Sequence, residues 1–172
     1  SLAPKMLHVL LKNWPKSHLT MVGPDKGDGS LQRMLALAVS LGVRDHITIT
    51  GGVPGDEIPN FLQWGDIFIN TTNFDNTPVS MIEAMASGLC IVSTNVGGIP
   101  YLIEHANDGL LVPPDDPQAF AGAILNIITD QSLAKRLSSN AWEKAKCFDW
   151  SIIIPLWDRL FDEMIEQQAS KM

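Results

Sequence analysis

Five short runs of β-branched and other apolar residues punctuate this chain: HLTMVG from His18, HITIT from His46, DIFINT from Asp66, CIVST from Cys90 and GLLVPP from Gly109. Segments with helical spacing of apolar residues stand between them. Residues 2–14 place Leu2, Met6, Val9 and Leu10 on one helical face, and Leu31, Leu35, Ala38 and Val39 do the same before Gly42. Further helices are predicted over 56–64, 77–87, 100–105, 117–129, 132–147 and from 150 to about 167. The runs read as apolar stretches more than as in–out alternation, the pattern of strands covered on both faces. The predicted fold is therefore α/β, a Rossmann-like parallel sheet with helices on both faces. Ligands of such sheets sit at the carboxyl ends of the strands, which selects the loops at 23–30, 51–56, 71–79 and 95–100.

A length of 172 residues with 45% hydrophobic content suits a single domain with a sizeable core. A net charge of −7 argues against broad attraction to nucleic-acid phosphates. It leaves room for a phosphorylated small molecule, which a few backbone amides and one or two cations suffice to hold. Cys90 and Cys147 are too few and too distant for a disulfide framework or a metal cluster, and Cys90 reads as a buried thiol. No run has the length of a membrane-spanning helix, and no leader pattern opens the chain, which points to the cytoplasm. Neither a GxGxxG nor a P-loop occurs, which counts against nicotinamide cofactors and NTP hydrolysis. His8, His18, His46 and His105 show no metal or triad spacing and are assigned to structure or solvent, His105 favouring a helix end.

Thr77-Pro78-Val79-Ser80 reads as a helix start, with Thr77 as N-cap and Pro78 in the first position. The Val79 and Ser80 amides then offer an anion site at the positive end of the helix dipole, although plain capping accounts for the same residues. Glu83, one turn on, stands between Ile82 and Ala84 in a run that looks ready to be buried. A buried carboxylate needs donors, and two ribose hydroxyls would supply them. A half-exposed Glu paired with a lysine or an amide is the competing reading. The pairs Gly51-Gly52 and Gly97-Gly98 permit either close ligand approach or a tight turn. Lys26, in a third glycine loop, reads as a solvated lysine.

Taken together, these loops resemble the C-terminal, donor-binding half of the retaining glycosyltransferases of family 4, the group 1 enzymes with a GT-B fold. The stretch DNTPVSMIEAMASG from Asp75 is similar to the family's E-G-F-G-L-x-x-x-E-A-M-A-x-G, with its two acids seven residues apart. CIVSTNVGGIP resembles P-V-V-A-T-x-V-G-G-x-P-E. LTMVGP, ITITGGVP and DGLLVPPDDPQAFAGAI resemble flanking family blocks, so the likeness runs from about Pro4 to Met164.

The resemblance implies that Glu83 binds the nucleotide ribose and that Thr77, Val79 and Ser80 contact the donor's sugar and phosphate. Gly51, Gly52 and Val53 fall near the base. Asp75 replaces the family's first glutamate and is the implied catalytic acid beside the transferred sugar. Pro78 replaces a glycine, and Tyr101 stands where the second glycine loop continues with Glu.

The expected function is binding of a nucleoside diphosphate sugar in a retaining transferase. An epimerase of the same fold and a non-catalytic sugar-nucleotide-binding module are the alternatives. No cofactor and no metal are implied.

On the same resemblance, residues 1–172 form the nucleotide-sugar-binding domain of a longer two-domain chain. It would begin past the first strand and past the family's pyrophosphate-binding Arg and Lys, and would be inactive alone. The missing acceptor-binding half is the expected partner, and through it the protein would sit peripherally at the inner membrane face. The missing strand would lie inside the sheet, so another strand or a covered gap is required. Ile153, Leu156, Trp157, Leu160 and Met164 are expected as an exposed apolar stripe, giving self-association or a disordered tail.

Overall fold

The structure is a computed structural model that describes residues 1–169. Helix α1 (Leu2–Leu11) leads to β1 (Leu19–Met21), α2 (Ser30–Ser40) and β2 (Ile47–Ile49). A 3₁₀ turn at Gly55–Glu57 runs into α3 (Ile58–Trp64), followed by β3 (Ile67–Asn70), α4 (Val79–Ala86) and β4 (Cys90–Thr94). Then come α5 (Ile99–Leu102), β5 (Leu110–Val112), α6 (Pro117–Thr129), α7 (Gln131–Ala145) and α8 (Trp150–Ala169). All five predicted strands are present, and the pairings between them are parallel among the described residues.

The strands form two sheets, β1–β2 and β3–β4–β5, where one sheet was expected from the alternation. No strand joins β1 to β3 among the described residues. Helix α1 packs on both groups instead. Its Leu2, Met6 and Leu10 meet Val92, Val112, Phe120 and Ile124, while Leu7 joins Met34, Val43 and Ile47 on the two-stranded side. The four-residue spacing of Leu2, Met6 and Leu10 makes one stripe and Leu7 stands on the adjoining one, which is why one helix serves two cores.

Period-two alternation explains the double covering of the larger sheet. Cys90 and Val92 of β4, with Leu110 and Val112 of β5, face α1 and α6. Ile91 and Leu111 face α4, α5 and the Ala141–Ala145 end of α7. Every residue of β4 is buried, so its apolar run needs no polar alternation. Each fully buried Ile or Phe there stabilises the fold by about 1.5–3 kcal/mol relative to exposure. Helix starts are set locally. The Asp116 carboxylate accepts from the Ala119 amide ahead of Pro117, and that of Asp130 accepts from the Ser132 and Leu133 amides. The Leu133 amide, first among those donors, holds the Asp130 carboxyl below its ordinary range.

Helix α8 is different. Trp150, Leu156, Trp157, Leu160, Phe161 and Met164 are all exposed, Trp150 by 74% and Trp157 by 53%. Ile153 alone is half-buried, so the stripe predicted from the sequence is exposed at four of its five positions. No helix among the described residues is long and apolar enough to cross a membrane.

Candidate functional site

Helix α4 begins at Val79, with Pro78 as its N-cap residue and no side chain capping it. Thr77 was expected to cap; its hydroxyl makes no such bond, because the proline rather than the threonine occupies the boundary position. The Val79 and Ser80 amides are consequently free of helical partners, and both residues are exposed. Buried Met81, Ala84 and Met85 anchor the inner face of α4 against Ile91 and Ile99, holding that amide end at the carboxyl side of β3.

Glu83 is exposed, which rules out the buried reading, one of the two that its sequence context left open. Its flanking residues alternate around the helix, so Ala84 and Met85 turn inward while the carboxylate turns to water. The desolvation argument for a ribose ligand does not hold at this position. Location is what remains: Glu83 lines a hollow of about 250 Å³ with Gly55, Ile58, Pro59, Leu62 and Ser87. Gly51, Gly52 and Val53 lie just upstream, at the carboxyl end of β2, where the Gly23 amide donates to the Gly51 carbonyl at 3.0 Å. They follow β2, outside the three-stranded sheet, and do not line the hollow themselves. A larger open hollow of about 360 Å³, lined in part by His8, Lys12 and His46, lies toward the amino-terminal end of β2, away from these loops.

Asp75 sits half-buried on the loop between β3 and α4. Its carboxylate has no hydrogen-bond or ionic partner among the described residues, and its carbonyl accepts from the Gly98 amide at 2.8 Å. The Thr94 hydroxyl donates to the Thr72 carbonyl at the root of the same loop. Asp75, Thr77, Val79 and Ser80 thus share one loop and helix start, with Glu83 a turn farther on.

Two side chains escaped sequence reasoning. Asn70, at the end of β3, accepts from the Thr72 amide through Oδ1, while its buried Nδ2 is without a partner among the described residues. Asp108 is 2% exposed; it accepts from the Glu104 amide at 2.7 Å and pairs with Lys144 at 2.8 Å. An acid directly before the apolar run from Gly109 was the available signal. His105 is not at a helix end: its Nδ1 accepts from the Leu111 amide at 3.0 Å, which places its proton on Nε2. Burial pushes the Cys90 thiol up, as an inert core cysteine requires. Among the described residues no group of three His, Cys, Asp or Glu side chains is placed to hold a metal ion.

The family model described as "Glycosyl transferases group 1" matches residues 2–130. The amylovoran biosynthesis glycosyltransferase AmsK of Erwinia amylovora is 37% identical over 108 residues, covering 59% of this chain and 26% of its own. Sucrose-phosphate synthase from Thermosynechococcus elongatus superposes with a TM-score of 0.84 at 24% identity, over 95% of this chain and 42% of that one. HepE of Anabaena, solved with UDP-glucose, superposes with a TM-score of 0.76 at 21% identity, over 97% of this chain and 44% of that one. The matched segment spans only 26% to 29% of the first curated relatives. The arrangement of parallel strands and flanking helices is that of GT-B glycosyltransferases, and the chain belongs to the group 1 glycosyl transferases.

Proposed function

We propose that this chain is the donor-binding half of a retaining glycosyltransferase, holding a nucleoside diphosphate sugar while another half of a longer protein presents an acceptor hydroxyl. The observation that carries the reading is the uncapped start of α4. Two amides without helical partners stand at the positive end of a helix whose inner face is fixed in the core. A diphosphate is the kind of group such an end stabilises. Asp75, unpartnered on the adjoining loop, is positioned to accept from a sugar hydroxyl. The hollow beside Glu83 offers room for ribose. A fold relative solved with UDP-glucose supports a nucleotide-sugar donor.

In the reaction so proposed, the bond from the anomeric carbon to the diphosphate breaks while the acceptor oxygen bonds to the same face, and the acceptor's hydroxyl proton passes to the departing phosphate oxygen. The chain contributes orientation of the donor and stabilisation of charge on the departing phosphate. The apolar face of α8 would dock on the acceptor-binding half or, in its absence, on a second copy.

Ligand-observed NMR of the chain with UDP-, GDP- and ADP-glucose tests the reading, with saturable binding of at least one expected. Glu83→Gln should weaken that binding about tenfold, the scale of a lost hydrogen bond to a charged group, with the melting temperature unchanged. Unchanged affinity makes Glu83 an ordinary surface acid, and failure of all three sugars removes the donor assignment. Transfer by the longer protein separates a transferase from an epimerase or a binding module.

A further inference from the structure

The turn between β4 and α5 is in direct backbone contact with the loop that carries Asp75. A Cβ placed on Gly97 would lie 2.0 Å from the Asp75 carbonyl oxygen, and one on Gly98 would lie 2.3 Å from that of Asn76. Both obstacles are backbone atoms, which unlike a side-chain tip do not swing aside. Gly97 also has φ +56, so conformation and space both demand glycine there. Gly98 has φ −87, a value open to any residue, so close approach is what demands glycine at that position. By contrast, a Cβ on Gly122 meets nothing within 4 Å. The contact is polar as well as steric, since the Gly98 amide donates to the Asp75 carbonyl and Thr94 holds the root of the loop. Val96 and Ile99, on either side of the turn, join the core with Met81 and Ile91, so the seat itself is anchored.

We propose that Gly97 and Gly98 are positioning residues for the sugar end of the donor. They clamp the backbone of Asp75 and Asn76, so the reach of the Asp75 carboxylate is set by two side-chain torsions and not by loop motion. This rests on the donor reading given above. A clamped acid discriminates among sugars by where a hydroxyl falls, and a displacement of about 1 Å at such a group costs up to 100-fold. The nucleotide, held by α4 and the hollow near Glu83, does not depend on the seat.

Gly98→Ala is the test, with Gly122→Ala as the control, both in the whole 172-residue chain. Amide shifts are expected to move across residues 72–77 in Gly98→Ala while Val79, Ser80, Met81 and Ile91 keep theirs. Affinity for the preferred nucleotide sugar among UDP-, GDP- and ADP-glucose should fall at least about tenfold, against less than about threefold for its nucleoside diphosphate. In an Asp75→Asn background the further loss should vanish, because the seat then positions nothing. Equal losses for sugar and nucleotide, full additivity with Asp75→Asn, or unmoved loop amides each overturn the proposal. If the wild-type chain binds none of the sugars, the donor reading fails and the sugar role falls with it. In that case the amide shifts separately decide whether the clamp exists.

Discussion

Gly51-Gly52 and Gly97-Gly98 are the same dipeptide at the same kind of place, the carboxyl end of a parallel strand, yet they do different work. In the two-stranded half, Gly51 adopts φ +73 in open space, and a Cβ on Gly52 would meet only Pro24 at an ordinary 3.6 Å. In the three-stranded half, the pair is pressed onto two carbonyl oxygens of a neighbouring loop. The strands beneath them differ in the same sense. All of β4 is buried between two helical layers, whereas β1 and β2 bury essentially one side against α1 and α2. The half with the denser covering is the one that carries Asp75 and the free end of α4. A site that depends on placement to within about 0.5 Å is best supported by loops that have no room to drift.

The contrast between halves is broken or sharpened by substitution, beginning with the core. Ile91→Ala in β4 should lower stability by about 4 kcal/mol in urea unfolding, and Ile49→Ala in half-buried β2 by about 1–2 kcal/mol. Equal costs would mean that the two halves are equally anchored. Asp108→Ala comes next, at about 3 kcal/mol by thermal unfolding, because it removes a satisfied buried acid from beneath the β5 turn. A loss below about 1 kcal/mol would show the pair to be incidental. The glycine pairs give the smallest and most direct comparison. Gly97→Ala is expected to cost about 2–3 kcal/mol, whereas Gly52→Ala should stay within about 0.5 kcal/mol. Similar values for the two would remove the distinction drawn between them.

Much of the fold was legible in the sequence. The apolar runs located all five strands, and β4 and α6 begin and end where the residues predicted. Local chemistry suffices there, since β-branched runs, Asp116-Pro117 and the spacing of Phe120, Ile124 and Ile127 each point to one conformation. The start of α4 was legible as an amide end but not in its cap. Choosing between Thr77 and Pro78 turns on one pair of backbone angles, to which propensity is blind. The exposure of Glu83 was open for a related reason: neighbours one and two positions away lie about 100° and 160° around a helix, so an apolar run says little about the residue among them.

The sequence by itself determined the α/β class, the order of elements, the loops worth examining and the family, because these depend on periodicity and motif spacing along the chain. Only the tertiary structure decided that the strands form two sheets bridged by α1, that Glu83 faces solvent and that Asp108 is held inside by Lys144. It also separated two identical glycine pairs, by bringing Asp75 and Asn76 against one of them across 22 residues of chain. Contacts of that kind are set by how layers stack, and stacking distance is not written in the spacing of residues along one strand.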